Sequence, residues 1–401
     1  MHKALVLLLA AVALGGCIHR APDEPAHAAA SVTTTAPALN ATANATLHPP
    51  LNLTAPTPTS IGHVFVILLE NEDYAKTFPA SGTPPSPYLA QNLTARGRFL
   101  TQYHGIGHAS LDNYIAMVSG QAPNALTQAD CFGYVEFAGA AGGPDGQAVG
   151  QGCVYPPAVK TLGDQMNAAN VTWRMYAEDM ANAPGAPTTC RHQPINSQDT
   201  WQGSTDPKDQ YATRHVPFVY FHSIIDDQAM CDERVVDLRE LDADLQDLNA
   251  TRAFNFITPD VCSDGHDAQC ANPDQRGEYD GIEDFLRAWV PKITGSPAYQ
   301  KDGLIIVTFD EAEAASPDAC CNEPTGPNTV QPGISGPGGG RVGAVLLAPC
   351  LQPGTTDDTP YNHYSFLRTM EDLWGLGHLG YAGATGLVPV SFPGCAPPVA
   401  N

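Results

Sequence analysis

Five runs of nearly unbroken apolar residues set the terms on which this chain can fold: 63–69, 171–176, 253–258, 303–309 and 341–348. A strand with one wet face alternates apolar and polar residues. A strand that does not alternate is covered on both faces, as in a parallel sheet between two helical layers. Helical patterns lie between the runs, over 159–169, over 234–248 with apolar residues at 235, 236, 238 and 241, and over 278–290. The expectation is α/β: a three-layer α/β/α sandwich around a mostly parallel sheet, spanning residues 61–401.

Composition agrees and narrows the function. Of 401 residues 43% are hydrophobic, enough for a large core, while 19 Lys and Arg face 42 Asp and Glu for a net charge of −23. No basic cluster exists for a nucleic-acid backbone, so DNA and RNA are excluded as partners. The same charge repels an anionic membrane surface, so membrane attachment needs another device. Residues 1–16 supply one: Lys3, an apolar run from 4 to 14, then small residues ahead of Cys17. That run falls short of the roughly 20 residues that span a bilayer and reads as an export signal. Leu14-Gly15-Gly16-Cys17 resembles a lipobox, which implies a lipid carried on Cys17 at the outer face of the membrane. Cleavage nearby without lipid, giving a freely secreted protein, is the alternative.

From 17 to 60 the chain is Ala, Thr, Pro and Asn and reads as a disordered linker. Glycosylation sequons stand at Asn40, Asn44, Asn52, Asn92, Asn170 and Asn249. Ten cysteines remain beyond Cys17, an even number that in an exported chain points to disulfides; proximity suggests Cys131–Cys153, Cys190–Cys231 and Cys262–Cys270. With no Cys-x-x-Cys pair, structural zinc is not expected. Nothing in the sequence calls for a protein partner.

Four of the five strands run into acidic or amide side chains: Glu70-Asn71; Glu178 and Asp179; Asp260, Asp264 and His266; and Asp310-Glu311. Open α/β sheets bind ligands beyond the carboxyl ends of their strands. Carboxylates gathered there repel one another unless a cation lies between them, so a divalent metal is expected. Between these blocks, residues 111, 114, 115 and 118 mark one helix face closed by Gly120, which places Ser110 as N-cap of that helix. A helix start suits a phosphate, and a metal beside the hydroxyl would make it a nucleophile; a plain capping serine is the competing reading. Gly-x-Ser-x-Gly, His-Glu-x-x-His and the Walker loop are absent, which argues against an α/β-hydrolase triad, a zincin and a P-loop NTPase. Gly333–Gly340 lacks the following Lys-Ser/Thr and reads as a flexible loop. Three histidines stand out by position: His108 before the serine helix, His266 after a strand end, and His363 opening a helix whose buried face is Phe366, Leu367, Met370, Leu373 and Trp374.

The ordered blocks Glu70-Asn71, His108-Ala-Ser110-Leu-Asp-Asn113-Tyr114, Asp264-Gly-His266-Asp267, Asp310-Glu311 and His363-Tyr-Ser-x-Leu-Arg-Thr-x-Glu-Asp-Leu-x-Gly resemble the acid phosphatase and phospholipase C family of phosphoesterases, in the alkaline-phosphatase-like superfamily. The resemblance implies a hydrolase of phosphoric esters in which Glu70, Asn71, Ser110, Asp310 and Glu311 ligate a divalent metal. Ser110 would be the nucleophile, Asn113 would hold a phosphate oxygen, and His108, His266 and His363 would contact phosphate or the leaving group. Asp264 or Asp267 would orient a histidine or the metal shell. The metal could be one ion or two: an all-oxygen shell suits Ca²⁺ or Mg²⁺, and histidine in the shell favours Zn²⁺ or Fe. Two departures, Asp112 where members often carry Pro and a chain shorter than the large phospholipase C members, favour phosphate monoesters. The alternatives are phospholipase C-like cleavage of phospholipid headgroups, transfer of phosphate or sulfate, and a surface lipoprotein that binds without turnover.

Overall fold

The computed structural model describes residues 60–203, 206–313 and 316–396. The export signal, Cys17, nearly all of the linker and the sequons at Asn40, Asn44 and Asn52 lie outside the described residues. Asn92, Asn170 and Asn249 are all exposed.

Eight strands form one sheet: β1 His63–Leu69, β2 Arg98–Leu100, β3 Trp173–Ala177, β4 Val235–Asp237, β5 Phe254–Thr258, β6 Gly303–Phe309, β7 Ala344–Leu347 and β8 Thr355–Asp357. Their spatial order is β8-β2-β7-β6-β1-β5-β3-β4. Only β7 runs against the others, through antiparallel pairing with β6 and β2. The central strands are buried along their length, as unbroken apolar runs require.

Both faces are covered. On the face of Trp173, Phe254 and Phe256 lie α1 (Ser110–Ser119), α2 (Leu162–Ala168) and α5 (His363–Leu373), the last following α3 (Arg239–Asp244) and α4 (Glu278–Gly295) in the chain. Tyr114 of α1 meets Phe256 edge-on, a side chain at Gly163 of α2 would strike the Trp173 ring, and Trp374 at the end of α5 meets Phe254. On the other face Tyr176 bonds Asp244 of α3, and Lys292 of α4 pairs with Asp242 of α3 at 2.8 Å. The expected three-layer sandwich is present.

The pattern reading errs in identifiable places. Residues 234–248 are not one helix: Val235 and Val236 are β-branched and add an edge strand beside Met175 and Tyr176 before α3 begins. β2 and β8, three residues each, are too short to show a period. Ser110 is not the N-cap; Ala109 takes the extended cap position with φ −150° and ψ 134°, and Ser110 is the first helical residue. Gly120 ends α1 in the left-handed conformation, φ 66°, as expected.

All ten described cysteines pair. The three expected bridges form, and Cys320–Cys321 and Cys350–Cys395 join them. Cys350–Cys395 ties the end of the described chain to the loop after β7 across 45 residues. A loop of that length predicts a loss of about 4 kcal/mol in the unfolding free energy of the Cys350→Ser/Cys395→Ser variant, read from denaturant titration. An unchanged transition midpoint would show that this bridge constrains nothing.

Candidate active site

Register builds the site. Leu69 and Phe309 are direct partners on β1 and β6, so the next residues, Glu70 and Asp310, emerge side by side, with the Asp310 amide donating to Leu69 O at 3.0 Å. Glu70 N donates to Asp264 O at 3.0 Å, which draws in the loop after β5. Three strand ends thus deliver three carboxyls to one point. Asn71, held at φ 56°, donates its backbone amide to Asp310 Oδ1 at 3.2 Å, and its carboxamide faces Glu70 and Asp310.

The start of α1 brings Ser110 to the same place. Ser110 Oγ donates to Glu70 Oε2 at 2.8 Å, and Tyr114 Oη, one helical turn on, donates to Glu70 Oε1 at 2.5 Å. Ala109 has no side-chain cap to offer; Asp130, from a distant loop, accepts from Leu111 N at 3.0 Å and caps the helix instead.

His215 completes the cluster. Its Nε2 lies 3.4 Å from Glu70 Oε2, its Nδ1 lies 3.2 Å from Asp264 Oδ2, and its ring stacks flat on Tyr114 at 5.3 Å. One ligand atom from each of Glu70, His215 and Asp264 fits within 4.8 Å of the others. Sequence reading missed this histidine and its neighbour Arg214, because they follow no strand and sit in a short 3-10 turn, Thr213–His215. Only the Arg-His pair opening the apolar run from Val216 could have drawn notice.

The electrostatics are unfavourable without a cation. Burial, then the charge of Glu70, pushes both Asp264 and Asp310 well above the carboxylate range. Burial, then Asp310, does the same to Glu311, while burial raises Glu70 against the opposing pull of His266, Tyr114, Arg214 and Ser110. Asp264 Oδ2, Asp310 Oδ2 and both ring nitrogens of His215 are buried without a hydrogen-bond partner. Buried oxygens and nitrogens left this way are what a divalent cation would satisfy, so Glu70, Asn71, Ser110, His215, Asp264 and Asp310 could hold one. The neighbouring acidic hollow of about 520 Å³ differs. There burial, then Asp260, lifts Glu178 to about 8 and burial lifts Asp179 to about 7, but Gln275 and Gln210 already bond Asp260 and Asp179.

The remaining expected site residues separate. Asn113 does not present a free amide: Oδ1 accepts from the amides of Ile106 and Gly107, and Nδ2 donates to the carbonyls of Gly107 and Ala109 and to Glu311 Oε2 at 2.9 Å. It ties the loop before Ser110 to Glu311. His363 is fully buried, with Nδ1 3.1 Å from Tyr103 Oη and Nε2 2.5 Å from Asp310 O, so it braces Asp310 from behind instead of facing phosphate. Burial lowers it to about 4. His108 turns to Ser316 O at 3.2 Å. His266 and Asp267, each a third exposed, pair at 2.7 Å at the mouth. Asp112 is fully buried against Gly107, where a side chain would collide with its carboxyl, and both its oxygens lack hydrogen-bond partners among the described residues. Burial, then the charge of Asp130, pushes its carboxyl well above the ordinary aspartate range.

The profile of the phosphoesterase family matches residues 85–377. The chain belongs to that family. Among curated relatives it is 29% identical over 317 residues to a phosphate-repressible acid phosphatase of Penicillium chrysogenum, covering 78% of this chain and 59% of that protein. It is 26% identical to a probable acid phosphatase of Kluyveromyces lactis, over 79% of this chain and 59% of that one. A phosphatidylinositol-3-phosphatase of Mycobacterium tuberculosis is 23% identical over 83% of this chain and 84% of its own length. The chain thus spans about three fifths of the length of the two fungal relatives. Among solved structures, a protein of the alkaline phosphatase superfamily from Vibrio parahaemolyticus aligns with a TM-score of 0.43 and 12% identity over 80% of this chain and 69% of its own.

Filling the cluster should stabilise the fold. A divalent ion at about a hundred times its dissociation constant is expected to add roughly 2.7 kcal/mol, seen as a rise in melting temperature over chelator-treated phosphoesterase, and Asp264→Asn should lose that rise. A melting temperature indifferent to Ca²⁺, Mg²⁺, Mn²⁺, Zn²⁺ and Fe²⁺ would mean that no cation belongs there.

Proposed function

We propose that this phosphoesterase hydrolyses phosphate monoesters, as an acid-phosphatase-like enzyme, through Ser110 and a divalent metal held by Glu70, Asn71, Ser110, His215, Asp264 and Asp310, with Glu311 beside them. The observation that carries the reading is the hydrogen bond from Ser110 Oγ to Glu70 at the carboxyl end of the central strand. A bound cation would supply positive charge to lower the serine pKa and to stabilise the phosphoryl oxygens. His215 in the donor set favours Zn²⁺ or Fe over Ca²⁺ and Mg²⁺.

The chain's own residues then have these roles. Glu70 Oε2, which already accepts the Ser110 hydroxyl, receives its proton as Oγ bonds to phosphorus and the ester P–O bond breaks. The leaving oxygen takes a proton from His266, the histidine exposed at the mouth and oriented by Asp267. In the second half water loses a proton to His266 and attacks phosphorus; the P–Oγ bond breaks and Glu70 returns the proton to Ser110. Atoms balance: ester and water give alcohol and phosphate. Tyr114 holds Glu70, and Asp130 fixes the helix that aims Ser110.

The names of the fungal relatives support the monoester class, and that of the mycobacterial relative, whose length is well covered, keeps phosphorylated lipid headgroups among the monoesters to assay. Five disulfides support export, and among the described residues no helix is long and apolar enough to cross a membrane. Together with the signal-like and lipobox-like sequence of residues 1–17, the disulfides support the reading of an exported domain, residues 61–401, carried on a lipid at Cys17 through the linker. Cys17→Ala is expected to move the protein from the membrane fraction to the medium; retention on the membrane would refute the lipid anchor.

Ser110→Ala should lower kcat on a chromogenic phosphate monoester by about a thousandfold or more with the melting temperature kept, since the missing hydroxyl is the attacking atom. Turnover surviving that change would remove Ser110 from the chemistry, and turnover confined to a phosphorylcholine diester would move the protein to the phospholipase C class.

A further inference from the structure

Two arginines are buried among the described residues, and they are treated differently. Arg191 is paired to Asp209 through two nitrogens at 2.8 and 2.7 Å and is stacked over Trp201 and Tyr211 at 4.4 and 4.5 Å. Its charge is fully answered within the protein. Arg214, 5% exposed, has no carboxylate oxygen within 4.0 Å among the described residues. Its hydrogen bonds there are two: Nη1 donates to the Gln202 carbonyl, and Nη2 lies 3.2 Å from Nε2 of His266. The His266 Nδ1 is 2.7 Å from Asp267, so without substrate the ring can donate to the carboxylate and accept from the guanidinium, and its Nε2 is freed to carry the proton given to the leaving oxygen once phosphate takes over the guanidinium N–H.

This is a costly place for an unanswered cation. A guanidinium withdrawn from water without an anionic partner is destabilising, and the fold shows at Arg191 that it can supply such a partner. Arg214 is nevertheless close enough for its charge to act on Glu70, Asp264, Asp130 and Asp199. Its visible polar neighbour, His266, is a third exposed and marks the mouth of the site. These acids act on Arg214 only through space and none bonds it, so its guanidinium fork is left for an anion from outside, which would have to overcome the field of Glu70, Asp264, Asp310 and Glu311. A guanidinium is suited to that, because its planar fork meets two oxygens of one phosphate at once.

We infer that Arg214 binds the phosphate of the substrate and selects phosphate monoesters over diesters. The inference rests on the phosphoesterase reading of the Ser110 site and adds to it the residue that recognises the anion. A terminal phosphate carries two charges and three oxygens free of ester bonds; a diester offers one charge and two such oxygens. The fork gains more from the first. The N–H now directed at His266 Nε2 is the one a phosphate oxygen would take over.

The test uses the metal-loaded protein, with Arg214→Gln, Arg214→Lys and wild type compared by titration calorimetry with inorganic phosphate. Steady-state kinetics on a phosphate monoester and a phosphate diester accompany the titration, as do melting temperature and metal content. Arg214→Gln is expected to weaken phosphate binding and monoester kcat/KM by about tenfold or more, through KM above all. It should leave diester kcat/KM much less affected, with metal content and melting temperature close to wild type. Arg214→Lys, which keeps the charge and loses the fork, should fall between. Phosphate affinity unchanged in Arg214→Gln overturns the inference, and so do equal losses on monoester and diester. If the glutamine variant fails to fold, the lysine variant decides: phosphate affinity and substrate preference equal to wild type overturn the inference. Wild-type protein that binds phosphate through Arg214 but turns over no ester would defeat the catalytic reading and, with it, the selection between esters, while upholding Arg214 as the phosphate-binding residue.

Discussion

Everything at the site follows from one constraint: Glu70, Asp264 and Asp310 are buried where three parallel strands end, and they repel one another. The apolar runs that make β1, β5 and β6 leave no choice about depth, because strands covered on both faces carry their first polar residues into the interior of the loop layer. Register then sets the spacing, since Leu69 opposite Phe309 puts Glu70 next to Asp310. The surrounding groups reduce the repulsion only in part. Ser110 and Tyr114 donate to Glu70, and Asn71 donates to Asp310, but Asp264 Oδ2 and Asp310 Oδ2 receive nothing. A divalent cation between these acids would relieve the repulsion, and the Ser110 hydroxyl already points at one of them, Glu70.

A second tier fixes the parts that chemistry needs to be rigid. Asn113 ties the loop before Ser110 to Glu311, Asp130 caps the Ser110 helix from outside, and His363 pins the Asp310 carbonyl from behind. These contacts join residues far apart in the sequence and lie wholly or partly buried, so they hold Ser110 and Asp310 in place. Beside the cluster, His266 and Asp267 are each a third exposed, and the buried Arg214 reaches His266 Nε2.

The sequence made much of this legible, for reasons that can be stated residue by residue. Unbroken apolar runs revealed the central strands, and the acids that follow them revealed Glu70, Asp264 and Asp310, because both signals are local. Ser110 was legible from the helix period after it, although its exact cap position was not; Ala109 is extended and the capping oxygen comes from Asp130, some twenty residues away. The edge strand at Val235 was hidden by an apolar spacing that also suits a helix. His215 and Arg214 were illegible because nothing local distinguishes a turn that is folded back over the site. His363 was found, but its direction was not: a histidine at a helix start gives no sign of whether it faces a ligand or, as here, a backbone carbonyl. Asn113 carried the same ambiguity.

The central claim is that Ser110 attacks phosphorus, and it is tested most directly by trapping the intermediate. Protein mixed with a phosphate monoester, quenched in acid within the first turnovers and digested, is examined by mass spectrometry for the peptide that contains Ser110. The account predicts one phosphoryl group on Ser110 in the wild type and none in Ser110→Ala. Rapid hydrolysis with no label on Ser110 at any quench time, or label on another residue, would contradict it.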